Sequence, residues 1–177
     1  LTRALRSWLE EQRLLGERTN VAVIPCCVDL EKFEGSERSR TETRAKLGLL
    51  QGDLVVTYSG SLGTWYMERE MAHLFGYVKK LAPRAKFLLL SRSPTDGFVR
   101  ALAETGVPAS DVVVTSASPD EMRYVLPAGD LGVSFIKPCF SKTGSSPTKV
   151  AEYLASGMPV VVNDTIGDQR DLRAEPE

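Results

Sequence analysis

Apolar residues recur at helical spacing through residues 2–15, where Leu5, Trp8, Leu9 and Leu15 are separated by charged positions and Gly16 closes the pattern. The short apolar run Val21-Ala22-Val23-Ile24, bounded by Pro25, predicts a buried strand. Residues 39–47 predict a short polar helix stopped by Gly48. From there strands and helices alternate. Residues 54–58 predict a strand, and the loop Ser59-Gly60-Ser61-Leu62-Gly63 follows it. Met67, Met71, Leu74, Phe75, Val78 and Leu81 line one face of the next helix. Further strands are predicted at 87–90, 112–114, 131–136 and 160–162, with helices at 95–105, 119–126 and 147–156 between them. Ser118 and Pro119 suit the N-cap and first position of one helix, Ser146 and Pro147 those of another, and Gly157 suits its C-cap.

Strands alternating with helices predict βα units. The strands are short and continuously apolar, as when helices cover both sheet faces. The expected fold is α/β, a Rossmann-like doubly wound parallel sheet of about six strands. Ligands of such sheets bind outside the carboxyl ends of the strands, which directs attention to loops 59–65, 91–97, 115–118 and 137–146.

Composition changes this picture little. With 177 residues, 42% hydrophobic and 25% charged, the chain has material for one ordinary globular domain. A formal net charge of −1 supplies no global basic field, and no nucleic-acid partner is expected. Cys26, Cys27 and Cys139 form no C-x-x-C pair, and the single histidine, His73, cannot complete a zinc set with them. They read as reduced thiols of a cytoplasmic protein. No apolar run approaches the roughly 20 residues of a membrane span, and no signal peptide is visible. The chain opens on Leu1 inside a helical pattern, which suggests a piece of a longer protein.

Chemistry concentrates in Ser145 to Val162, SSPTKVAEYLASGMPVVV. Gly144, Ser145 and Ser146 give a small-residue approach with free backbone N–H groups to a helix start, which favours an anion. Lys149 lies in the first turn of that helix, where a cation is disfavoured by about 0.3–1 kcal/mol. No acid stands between Asp130 and Glu152, so Lys137, Lys142 and Lys149 make this edge basic, and a phosphate or diphosphate would satisfy them. The alternative is an ion pair between Lys149 and Glu152. Glu152 could be a solvated helix residue, or could accept hydrogen bonds from sugar or ribose hydroxyls.

The run PTK-x-x-EYLASG-x-PVV resembles the donor-site motif of retaining GT-B glycosyltransferases of family 4 (group 1). Val23 to Asp29 is similar to that family's IPNGVD turn, with both middle residues altered, and Tyr58 to Gly63 is similar to its glycine-rich loop. The resemblance implies one half of a GT-B enzyme, truncated at both ends. Residues 1–177 would be a partial nucleotide-sugar-binding domain, with residues 1–16 leading in from an absent N-terminal acceptor domain of the same chain. It implies transfer of a sugar from a nucleotide diphosphate donor, of UDP or GDP type, with retention, and an isolated chain that is inactive. No cofactor or metal is implied. The parent would be cytoplasmic, peripheral at the inner face of the membrane.

By the same resemblance, Lys149 and Glu152 are the catalytic candidates. Donor-binding candidates are Gly60, Ser61, Leu62 and Gly63 on the glycine loop, Ser116 and Ala117 at the base, and Lys142, Gly144, Ser145, Ser146 and Thr148 beside Lys149 and Glu152. Gly144 stands where relatives carry a further glutamate eight positions before Glu152, and no basic residue follows the loop before Arg69. Secondary candidates are Arg92 as a phosphate or base contact, Met122 beside the base, and Trp65 and Tyr66, which could stack on a sugar or staple the start of their helix. His73 falls opposite the apolar face of its helix and reads as exposed. Two other functions fit the same residues: half of a nucleotide-sugar epimerase-like enzyme, and a non-catalytic nucleotide-binding or interaction module.

Overall fold

The computed structural model describes residues 2–16, 18–33 and 37–172; Leu1 and the last five residues of the tail lie outside it. Helices are α1 (Arg3–Glu11), α2 (Leu30–Phe33), α3 (Glu37–Lys46), α4 (Glu68–Leu81), α5 (Asp96–Glu104), α6 (Pro119–Val125) and α7 (Thr148–Ala155). Strands are β1 (Val55–Ser59), β2 (Lys86–Leu90), β3 (Val112–Thr115), β4 (Leu131–Ser134) and β5 (Val160–Val162).

The strands form one fully parallel sheet in the order β3-β2-β1-β4-β5, with register Val56 opposite Phe87, Phe87 opposite Val112, Val56 opposite Leu131 and Gly132 opposite Val160.

Alternation along the strands feeds two cores. Val56, Tyr58, Phe87 and Leu89 face α4 and α5, where they meet Met71, Phe75, Phe98 and Leu102. Val55, Leu88 and Leu90 face the other way, against Leu126, Tyr153 and Met158. Both faces are covered, as the continuous apolar strands require. Tyr153 of α7 lies so close to β4 that a Cβ at Gly132 would overlap its ring, so only glycine fits there. Ser118 caps α6 as expected: its Oγ accepts from the Glu121 N–H at 3.3 Å, and the Glu121 carboxylate accepts from the Ser118 N–H at 2.7 Å.

The sheet has five strands among the described residues, not six. Residues 21–24 are irregular, and Ile24 is 73% exposed. An apolar run of four residues does not specify a strand by itself. Here the segment runs along α7 instead of joining the sheet, and the Cys26 N–H donates to Ser146 Oγ at 3.0 Å. The first helix also ends earlier than its pattern, at Glu11, and the chain turns through Arg13 at φ 53°. Its start is fixed by Thr2, whose Oγ accepts from the Leu5 N–H, and by the Asp168 carboxylate, which accepts from the N–H groups of Arg3 and Ala4 at 2.8 and 2.9 Å. Leu81, expected on the buried face of α4, is exposed at its last turn.

The loop after β1 is stitched to the segment after β4. Tyr66 and Ile136 form an antiparallel bridge: the Met67 N–H donates to Phe135 O at 3.1 Å, and the Lys137 N–H donates to Trp65 O at 2.7 Å. Asn163, just past β5, extends the stitch by accepting from the Ile136 N–H and donating to Ile136 O, at 3.0 and 2.8 Å.

Candidate functional site

The strand order reverses direction at β1, which places a crevice at the carboxyl ends of the strands. Three of the loops named from sequence meet there. A cavity of about 230 Å³ is lined by Gly60 and Ser61 after β1, Ser91 and Arg92 after β2, Ala117 after β3, and Glu152 from α7. Met122 of α6 also lines it. Of the expected donor residues, Gly60, Ser61, Ala117 and Glu152 therefore share one cavity. Arg92 donates to Ala117 O at 3.3 Å across its edge.

Lys149 does not line the cavity; it stands against the glycine loop at Gly60. Gly60 has φ +123°, and a Cβ there would lie 2.9 Å from Lys149 Nζ, so glycine serves both the turn and the close approach of the lysine. Lys149 Nζ donates to Tyr58 Oη at 3.1 Å and lies 4.2 and 4.0 Å from the ring centroids of Tyr58 and Tyr66. Burial pushes its amine down to about 7, opposed by the Glu152 carboxylate. Glu152 is half-buried, and burial raises its carboxyl above the usual range against the pull of Lys149. The two charges act on each other through space, without an ion-pair contact between them among the described residues.

The remaining expectations fare differently. Gly144 does not belong to a flexible approach; it closes a 3-10 turn over Phe140–Gly144. The Ser145 N–H is not free either, since it donates to Lys142 O at 3.1 Å. Ser146 is not the N-cap of α7, because its hydroxyl accepts from the Cys26 N–H and Pro147 occupies the cap position. The Gly63 N–H is taken by the Glu68 carboxylate at 2.6 Å. The Leu62 N–H donates to Ser93 Oγ at 3.3 Å, and Ser116 and Thr148 do not line the cavity. Lys142 places its ammonium 4.7 Å from the Trp65 ring centroid. Trp65 and Tyr66 thus carry lysines on their faces, and Tyr66 also packs against the core cluster that includes Met71 and Phe75 of α4. His73 is exposed on α4, as its helix position predicts.

A larger groove, about 410 Å³, lies on the other side of α7 between Pro25, Ser146, Leu154 and Gln169. It is mostly apolar and is not lined by Glu152, which lines the smaller cavity, so the smaller cavity carries the candidate chemistry. Sequence reading missed Tyr58 as a site residue, because a tyrosine inside an apolar strand pattern reads as core.

No family model matches the chain. It is 28% identical over 147 residues to TuaC of Bacillus subtilis (strain 168), named as a putative teichuronic acid biosynthesis glycosyltransferase, covering 82% of this chain and 34% of that one. The crystal structure of WaaG, a glycosyltransferase involved in lipopolysaccharide biosynthesis, matches 97% of this chain with a TM-score of 0.74 at 18% identity, over 45% of its own length. The fold is that of one GT-B half. Anabaena HepE, solved in complex with UDP and glucose, matches this GT-B half over 84% of its length with a TM-score of 0.65 at 17% identity, and 39% of HepE is covered. The chain therefore spans about a third of TuaC and less than half of either solved structure. Among its described residues no helix is long and apolar enough to cross a membrane.

Proposed function

We propose that this chain is the donor-binding half of a glycosyltransferase that moves a sugar from a nucleoside diphosphate to an acceptor with retention of configuration. The observation that carries this reading is the cavity shared by Gly60, Ser61, Ala117 and Glu152, with Lys149 against its glycine loop. A half-buried carboxylate with a raised pKa is short of donors, and ribose hydroxyls would supply them. Lys149 would meet the diphosphate across Gly60 and stabilise the charge that develops on it as the sugar leaves. Arg92 and Lys142 add positive charge near the same edge. No metal is included in this scheme. HepE's complex with UDP favours uridine as the first nucleotide to test.

At about 230 Å³ the cavity is smaller than the roughly 300 Å³ at which ligand pockets usually begin. That size suits one wall of a cleft whose other wall, the acceptor domain, belongs to the longer parent. The isolated chain is accordingly expected to bind nucleotide weakly and to transfer no sugar. The proposal includes a cytoplasmic parent, peripheral to the membrane, an environment in which the three exposed free cysteines would stay reduced. Calorimetric titration with UDP, GDP and ADP tests the site. Glu152→Ala and Lys149→Ala should each weaken the preferred nucleotide about tenfold or more. Unchanged affinity in both variants would remove the assignment, and absence of binding to every nucleotide would favour an interaction module.

A further inference from the structure

Lys149 is not held by an acid. Its amine sits in a corner made by two aromatic walls, Tyr58 and Tyr66, whose ring centroids are 5.9 Å apart and whose planes meet at 75°. Both walls are fixed. Tyr58 is fully buried in β1, and its hydroxyl donates to Ser61 O. Tyr66 is tied through its backbone to Ile136, and Ile136 to Asn163. The floor of the corner is Gly60, where no side chain intervenes. Charged and titratable groups around this corner are Glu152 on α7, Glu68 at the start of α4, Lys142 in the turn before α7, and Tyr153, which reaches Ser59 from behind the strand.

We propose that Tyr58 and Tyr66 are positioning residues forming a resting cradle for the Lys149 amine, and that a diphosphate at the glycine loop draws the amine out of it as the ammonium ion, with uptake of a proton. This rests on the reading that a nucleoside diphosphate binds at that loop. The proton comes from the buffer acid: the lone pair on Nζ forms the new N–H bond, and the conjugate base of the buffer stays in solution. Geometry supplies the reason for the coupling. The cradle offers ring faces and one hydroxyl but no anion, so the amine is enclosed without a full countercharge. A diphosphate supplies that countercharge and favours the charged form. Because burial pushes Lys149 down to about 7, most of the amine is neutral at pH 8 in the free protein.

The test is calorimetric binding of UDP to this chain at pH 8 in two buffers of different ionisation enthalpy, which counts protons exchanged. Wild type should take up most of a proton per UDP. Lys149→Arg, charged in both states, should bind with uptake near zero. Tyr66→Phe keeps the ring face and should keep the uptake. Tyr66→Leu and Tyr66→Met open the cradle to water, so the lysine is already charged; uptake should fall below half of the wild-type value in whichever of the two melts cooperatively. A merely structural role for Tyr66 would change affinity without changing proton number. UDP binding to wild type without proton uptake, or uptake unaltered by loss of the ring, overturns the cradle. Failure of wild type to bind UDP instead overturns the reading of the site on which the cradle rests.

Discussion

At pH 7 the Lys149 amine is divided between its charged and neutral forms, and this has a consequence for stability as well as binding. Its folded value, about 7, lies below the unfolded lysine value of roughly 10.4. The unfolded chain therefore binds more protons between those limits, and stability rises with pH across that window as the penalty is relieved. Lys149→Met should be more stable than wild type at pH 6, by an amount on the order of a few kcal/mol, with the gap closing as pH approaches 10. Chemical denaturation of both proteins at several pH values checks this; a gap independent of pH would contradict it. The sequence made Lys149 legible because a cation in the first turn of a helix needs an explanation. It did not reveal the explanation, since aromatic faces arriving from β1 and from the loop after it are set by tertiary packing. Glu152 was legible through its motif, whereas its raised pKa depends on burial that no spacing encodes.

Among the elements, α3 departs furthest from its sequence appearance. Its residues look like a solvated polar helix, yet Arg44 is fully buried beneath the amino end of the sheet. Its guanidinium donates to the carbonyls of Leu50, Gln51, Asp53 and Ala128 and pairs with Asp130 at 2.6 Å, which also pairs with Arg40. Removing it would leave those acceptors unpaired in the interior. Arg44→Ala should cost about 3–5 kcal/mol and lower the melting temperature by roughly 10 °C, measurable by calorimetry. The cap of α6 is a smaller effect: Ser118→Ala should cost about 1 kcal/mol, read from the denaturation midpoint. Helix α6 was legible to its first residue because Ser118, Pro119 and Glu121 act locally. Residues 21–24 were misread because a four-residue apolar run says nothing about which partner it finds, and here it finds α7.

For the whole molecule, alternation of strands and helices revealed the parallel doubly wound class, and the glycine loop and α7 pointed to the right end of the sheet. The strand order could not be read, because it depends on which edge of β1 each later strand reaches. Nor could the split between two cavities on either side of α7. At this scale the prediction is one of division of labour. This chain should bind nucleotide without turning over a sugar donor, and a transferase assay with UDP-glucose and the purified chain should show no product above the no-protein control.

The order β3-β2-β1-β4-β5 puts the first strand made in the middle of the sheet. On the ribosome, β1 can zip up with β2 and β3 by residue 115, since those pairings span short stretches of chain. Its opposite edge has to wait for Leu131 and the strand that begins there. For that interval this part of the nascent chain is a half-sheet with a bare apolar margin, and chaperone contact with it during translation should peak before β4 emerges.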